Sequence, residues 1–180
     1  MKNKYNKINI VFNKKEIKFP NGYFFKQSQV NTSKKILSTE ISEVNLNTFP
    51  PSLVYKDIEV IFVKNDCKNS LKDFAKKNNI PIIDRLDIWE HMCRPYLDTE
   101  FEEQEKVESL KLLEANGVSR KDVTQIRKKI NFTMFLNFIV WEWCYLGLYD
   151  YLSWTFLNKK KYWWAMEVAL RNYFKLSATA

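Results

Sequence analysis

The chain has 180 residues, of which 46% are hydrophobic and 28% charged, a balance that predicts a folded protein with a sizeable core and excludes a disordered chain. Its formal net charge of +8 comes from 24 lysines against five arginines. Because arginine is the residue that makes bidentate contacts with phosphates and bases, this lysine excess argues against nucleic-acid binding. Three glycines are too few for a glycine-rich phosphate-binding loop.

The cysteines and the start of the chain indicate a compartment. Cys67, Cys93 and Cys144 are odd in number and far apart, which argues against a disulfide framework and against a four-ligand zinc site. The basic residues at the start lead into a short alternating run instead of an apolar signal segment. We therefore expect a cytoplasmic protein that binds no metal or other cofactor.

The first third of the sequence predicts short strands separated by turns. Strand-forming residues occupy Ile8–Phe12, Glu16–Phe19 and Tyr23–Phe25, with Pro20-Asn-Gly22 as a turn. This pattern indicates an antiparallel meander. Two further apolar groups, 36–46 and 54–63, are divided by Phe49-Pro-Pro-Ser52, where the two prolines favour an extended connector.

A βαβ unit is predicted next. The apolar run Ile58–Val63 has the composition of a strand covered on both faces, Ser70–Asn79 has helical spacing, and Ile80–Ile83 is a second short apolar run. A parallel pair would place Asp84 at the carboxyl end of a strand, where α/β folds often bind ligands. This strand, helix and strand resemble the end of an Mrr-type restriction-endonuclease domain.

The resemblance to a nuclease implies a metal-binding pair of the form D/E-x-K on a central strand. Glu59 and Lys64 are five residues apart instead of two, and no other acidic-x-Lys pair lies on a predicted central strand. The sequence therefore lacks the nuclease motif in the stretch that resembles it.

From Leu86 onward the sequence predicts helices: Leu86–Arg94, Glu100–Asn116 closed by Gly117, a long segment from Arg120 to about Leu157, and Tyr162–Leu176. Ser119 with Asp122 has the spacing of a capping box. We therefore predict an α+β protein with a β-rich part, 1–83, and a helical part, 84–180, whose core is rich in aromatic residues.

A polar cluster begins the helical part. Its members recur at steps of three or four residues and are Asp84, Asp87, His91, Arg94 and Asp98. On one continuous helix they share a face, and ion pairs four residues apart make that a solvated face. An imidazole beside carboxylates is also a candidate general base, so a hydrolase or nuclease-like enzyme using Asp84, Asp87 and His91 is the alternative interpretation.

A second unusual acid lies in the stretch Phe132–Trp164, where 13 of 33 residues are aromatic. Glu142 stands between two tryptophans and its helical neighbours are bulky. Because an isolated buried carboxylate is costly, we predict that Glu142 is buried and paired, with Arg94 among the candidate partners and Asp150 near the same side. Asn131, Glu142 and Asp150 interrupt the apolar run, which argues against a membrane-spanning helix.

These patterns predict a function class but no reaction. The leading hypothesis is an intracellular, non-enzymatic interaction protein that binds another protein, or a second copy of itself, through the C-terminal aromatic region. Trp163 and Trp164 join Arg94, Glu142 and Asp150 as candidate binding residues. A basic protein that binds nucleic acid or contacts a membrane surface peripherally is the second alternative.

Overall fold

The computed structural model describes residues 9–96, 103–140, 147–154 and 158–173, with backbone alone for 132–140 and 154. The predicted α+β class is confirmed: two small antiparallel sheets lie in the N-terminal half, and the C-terminal half is mostly helical. The chain forms two compact units. The first comprises Met1–Arg85 and Leu157–Met166, and the second comprises Leu86–Phe156 and Glu167–Ala180.

The first unit contains a small antiparallel sheet of three strands, β1 (Val11–Phe12), β2 (Glu16–Lys18) and β3 (Lys35–Leu37). Ile17 of the central strand pairs with Ile36, and both side chains are fully buried. This pair is the inward row that period-two alternation produces. A four-residue helix, α1 (Val30–Ser33), precedes β3.

The strand predicted at Tyr23–Phe25 was wrong, because this segment has no ladder partner and β3 takes its place in the sheet. Its backbone groups bond to a side chain: Tyr23 N–H donates to Asn31 Oδ1 at 2.9 Å, and Asn31 Nδ2 donates to the Phe25 carbonyl. Gly22, at φ 81°, turns the chain into this segment. The aromatic residues of Tyr23–Phe25 pack against other rings instead: the ring centroids of Phe25 and Phe62 are 6.4 Å apart.

A second antiparallel sheet has the order β4 (Ile41–Asn45), β5 (Ser52–Tyr55) and β6 (Glu59–Phe62). Val44, Leu53 and Ile61 form one row across it, and each is at most 1% exposed. The prolines between β4 and β5 lie in an irregular connector, as the sequence predicted, and the Phe49–Pro50 bond is cis.

The predicted βαβ connection runs from β6 through helix α2 (Lys68–Lys77) to Ile82. Ile82 forms a single parallel bridge with Val44, so it pairs with β4 and runs parallel to β6, from which β4 and β5 separate it. Leu71, Phe74 and Ala75 of α2 are buried, which is the face that the helical spacing predicted. The second strand of the unit, predicted over Ile80–Ile83, is shorter than predicted, because its described pairing is the single bridge at Ile82.

Helices build the second unit: α3 (Ile88–Cys93), α4 (Glu103–Ala115), α5 (Arg120–Val140) and α6 (Leu148–Trp154). Gly117, at φ 84°, ends α4 in a Schellman arrangement, with Gly117 N–H on the Glu114 carbonyl and Val118 N–H on the Leu113 carbonyl. Helix α5 begins with the predicted capping box, in which Ser119 Oγ and Asp122 Oδ2 are 2.7 Å apart. The single long helix predicted to Leu157 was wrong, since Gly147 is not helical and α6 begins after it.

The last element is helix α7 (Lys159–Ala169), which begins where Asn158 Oδ1 accepts from the Lys160 N–H at 3.0 Å. Tyr162, Ala165 and Met166 of α7 are buried. Across the parts of the chain that the structure describes, none of the helices has the length and apolar character needed to cross a membrane.

Candidate ligand-binding site

A carboxyl group is buried inside the first unit. Glu59 begins β6 on the same inward phase as Ile61, and both side chains are fully buried. Its Oε1 accepts from the Tyr162 hydroxyl at 2.5 Å and its Oε2 from the Gln29 backbone N–H at 3.3 Å. Burial raises the pKa of Glu59 above its usual range, against the lowering effect of these hydrogen bonds. Uncharged groups therefore solvate this carboxyl.

Ser28 completes the network around Glu59. Its side chain hydrogen-bonds to Glu59, and its Oγ also accepts from the Val30 N–H at 3.1 Å, which fixes the start of α1. On the opposite side, burial and the adjacent carboxyl of Glu59 raise the pKa of Tyr162 well above its usual range, so the phenol stays protonated and donates. Glu59 thus joins the segment before α1 to helix α7.

A pocket of about 540 Å³ has Ser28 and Gln29 of this network in its lining. We call it the lysine pocket, and it is lined by Lys26, Gln27, Ser28, Gln29, Thr32, Lys159 and Trp163. One wall is the 26–32 segment and the other is the first turns of α7. Since Glu59 bonds to the residues at the base of both walls, it holds the two sides of the pocket together.

Trp163 provides the flat apolar surface of the lysine pocket. Its ring meets the ring of Tyr162 at 5.4 Å between centroids and 88° between planes. Tyr162 is 2% exposed and held by Glu59, whereas Trp163 is half-buried. The perpendicular contact covers at most one face of the indole. Trp163 is thus the one predicted binding residue that lines this pocket.

The lining of the lysine pocket is basic and polar. Lys26 and Lys159 are exposed ammonium groups, and Gln27 and Gln29 contribute amides that both donate and accept. No acid, histidine or cysteine is found among its described lining residues. The arrangement therefore favours an anion.

The predicted polar cluster does not share one helical face, because α3 begins at Ile88, after Asp84 and Asp87. Asp84 is exposed and belongs to the first unit. Asp87 is the N-cap of α3, where its carboxylate accepts from the Trp89 N–H at 2.9 Å. Burial raises the pKa of Asp87 to about 6. The N-cap hydrogen bond accounts for an aspartate at this position without a catalytic role.

The solvated face predicted for this helix was also wrong, since His91 is only 7% exposed and α3 buries five of its six residues. The Nδ1 of His91 lies 3.4 Å from Ser109 Oγ, and burial lowers the pKa of the imidazole. Arg127 donates to the His91 carbonyl at 3.1 Å, closing the C-terminal end of α3.

The remaining predicted residues are scattered. Arg94 is exposed and ion-pairs with Glu105 at 3.7 Å. Asp150 accepts from the Gly147 N–H at 3.1 Å at the start of α6, and burial raises its pKa. Trp164 is half-buried on α7, and both Asp98 and Glu142 lie outside the described residues. Pairing of Glu142 therefore stays a prediction, and the described residues contain no group of three potential metal ligands.

A buried ion pair was also missed from the sequence. Arg85 Nε donates to Glu43 Oε1 at 2.6 Å, and a second guanidinium nitrogen bonds the other oxygen. Asn45 Nδ2 donates to the Arg85 carbonyl at 2.8 Å. These bonds fasten the segment after Ile82 to β4. Strand phase could have indicated only Glu59, which continues the inward phase of Ile61, because Glu43 pairs with Val54 on the other face of the sheet.

Comparisons with protein families, with curated proteins and with solved structures gave no match for this chain. The lysine pocket is therefore interpreted from its own residues.

Proposed function

We propose that this protein is a non-enzymatic binding protein that takes an anionic ligand into the lysine pocket. The observation that carries the proposal is the convergence of Lys26 and Lys159 on one pocket whose described lining contains no acid. Two ammonium groups that line one pocket from different parts of the chain both attract an anion, and like charges reinforce each other's attraction for it.

The dimensions of the site support a small ligand or a short segment of a partner. A volume of about 540 Å³ falls within the range of sites that hold small molecules. Lysine binds phosphate and carboxylate groups as a mobile point charge, which suits an open pocket better than a fixed bidentate geometry. Thr32 adds a hydroxyl-bearing side chain to the lining, whereas the Ser28 hydroxyl is bonded to the Val30 N–H and to Glu59.

Binding is favoured over catalysis because the described lining offers no carboxyl, imidazole or thiol group, the side chains that most often serve as general acid, general base or nucleophile. Glu59 is not among the lining residues, and its carboxyl is fully buried and bonded to Tyr162 and Gln29. A hydrolase using Asp84, Asp87 and His91 stays an alternative proposal, for which Asp87 and His91 offer a helix cap and a buried imidazole.

A cytoplasmic location belongs to the same proposal. It is supported by two free cysteines among the described residues, Cys67 and Cys93, the second of which is buried and has its pKa raised by burial. Such thiols suit a reducing compartment.

Isothermal titration with pyrophosphate tests the proposal. Lys26→Gln and Lys159→Gln should each weaken binding by about three- to tenfold, since each removes one charged contact at a partly exposed site. Lys160→Gln is the matched control: it removes the same charge one residue along α7, from a lysine that does not line the pocket. Equal losses in all three variants, or no binding to the wild type, would exclude the lysine pocket as an anion site.

A further inference from the structure

We infer that the anion bound in the lysine pocket carries a planar aromatic base, which stacks on Trp163, so that the ligand is a nucleoside phosphate. This inference rests on the proposed function, because the phosphate groups are the part that Lys26 and Lys159 hold. It adds the ring as the part that determines which anion binds.

The first step is the fixed orientation of the indole. Tyr162 is held by its hydroxyl on Glu59 and packs perpendicular to Trp163 at 5.4 Å. The Trp163 ring is therefore supported from one side within α7 while it lines the pocket. An aromatic ring held in this way offers a stacking surface that loses little conformational freedom when a ligand binds.

The second step is the polar lining beside the indole. Gln27 and Gln29 are among the lining residues, and a glutamine amide can both donate and accept, which is the pairing capacity that the edge of a nucleobase requires. An acidic peptide would use the two lysines and leave the indole and both amides without comparable contacts. A base with attached phosphates uses all three kinds of group.

The third step is the position of the two lysines and the indole along the lining of the pocket. Lys159 lies one turn before Trp163 on α7, so the ammonium and the indole stand on neighbouring turns of the same helix. Lys26 belongs to the other part of the lining, the 26–32 segment. A ligand with a ring at one end and phosphates at the other spans these groups without any glycine-rich loop.

The experiment compares ADP with pyrophosphate, which carries the same phosphates without the base, by isothermal titration. The wild type should bind ADP roughly five- to a hundredfold more tightly, the usual gain from stacking one base on an aromatic side chain. Trp163→Leu should reduce ADP affinity to that of pyrophosphate and leave pyrophosphate binding unchanged. Trp163→Phe should restore part of the gain, and Trp164→Leu, outside the pocket, should change neither ligand.

The possible failures are distinguishable. If ADP and pyrophosphate bind equally, and both depend on Lys26 and Lys159, the aromatic base is wrong and the anion site stands. If neither binds, the proposed function fails with it. A hexaglutamate peptide that binds more tightly than ADP would also overturn the inference.

The source of the ligand is a separate arm. The same base and phosphate chemistry occurs in free nucleotides and in single-stranded nucleic acid. Hexa-adenylate RNA that binds more tightly than ADP would assign the single strand, whereas weaker binding would assign the free nucleotide. In either case the inference of a stacked base holds only if Trp163→Leu weakens binding of the tighter ligand.

Discussion

The hydroxyl of Tyr162 donates a 2.5 Å hydrogen bond to Glu59, across 103 positions of the sequence. Both groups are buried, and the bond joins helix α7 to the edge strand β6 inside the first unit. Since Ser28 and the Gln29 backbone bond to the same carboxyl, one acid organises both walls of the lysine pocket. The stability of the unit and the shape of its pocket therefore depend on the same contact.

Tyr162→Phe should lower the free energy of unfolding by about 1–3 kcal/mol, because it leaves a buried acceptor without its donor while the ring packing is kept. Urea denaturation measures this loss. Lys160→Gln, an exposed change on the same helix, should shift the free energy by less than about 0.5 kcal/mol. An unchanged unfolding curve for Tyr162→Phe would mean that the bond contributes nothing net.

Asp87 predicts a pH dependence in the second unit. Its pKa is raised from 3.8 to about 6, so the folded state holds this proton more tightly than the unfolded state. For a carboxyl with a raised folded pKa, stability falls as pH rises between the two values, and the penalty is constant above about 6. The folded protein is therefore penalised by this group at neutral pH and not below pH 3.8.

Asp87→Asn tests this prediction because asparagine is as good an N-cap as aspartate but does not titrate. The variant should match the wild type near pH 4 and become more stable by about 1–3 kcal/mol at pH 7. Denaturation at a series of pH values gives the difference curve. A difference that stays flat between pH 4 and 7 would contradict the raised pKa.

Glu43 and Arg85 provide a buried ion pair whose loss should be costly. Arg85→Leu should destabilise the protein by about 3–5 kcal/mol, since it leaves the Glu43 carboxylate buried without a cation. The double variant Glu43→Leu with Arg85→Leu should recover much of that loss, because two apolar side chains replace both charges.

The matched control for this pair is Arg120→Leu. Arg120 ion-pairs with Glu114 at 3.0 Å, with both side chains well exposed, so its loss should cost at most about 1 kcal/mol. Chemical denaturation of the four proteins measures the series. An Arg85→Leu variant as stable as Arg120→Leu would contradict the predicted cost of losing this buried ion pair.

Local chemistry explains which parts of this fold were predictable. Gly117 ends α4 and Ser119 begins α5 because each controls backbone groups within four residues, and such signals are visible in sequence. The helical face of α2 follows from the spacing of Leu71, Phe74 and Ala75. Long-range pairing gave no comparable signal. The aromatic segment Tyr23–Phe25 was assigned to a strand because propensity cannot show that Asn31 takes its backbone bonds.

In the candidate site, too, a local sequence feature was predictable and the long-range contacts were not. Trp163 was selected because large aromatic residues dominate interfaces, and it does line the lysine pocket. Lys26 and Lys159 were not selected, because single lysines in a chain with 24 of them carry no information until the fold brings two together. Glu59 was considered only as half of a nuclease motif, and its burial depends on a tyrosine 103 residues away.

Self-association through the aromatic region remains a prediction, motivated by Trp163 and Trp164, which are half-buried neighbours on α7. Monomeric proteins seldom expose contiguous apolar area beyond a few hundred Å², so the prediction requires the exposed parts of both rings to belong to one such patch. Light scattering should give a mass of about twice 21.6 kDa for the wild type. Trp163→Ser combined with Trp164→Ser should return it to 21.6 kDa.

Two single variants separate self-association from ligand binding. Trp164 does not line the lysine pocket, so Trp164→Ser should weaken the dimer and leave ADP binding intact, whereas Trp163→Ser should weaken both. Phe49→Ser is the control, because Phe49 is 61% exposed in the connector between β4 and β5 and a single exposed ring does not indicate an interface. A wild type that scatters as a 21.6 kDa monomer at all concentrations would exclude the dimer and leave Trp163 to the pocket alone.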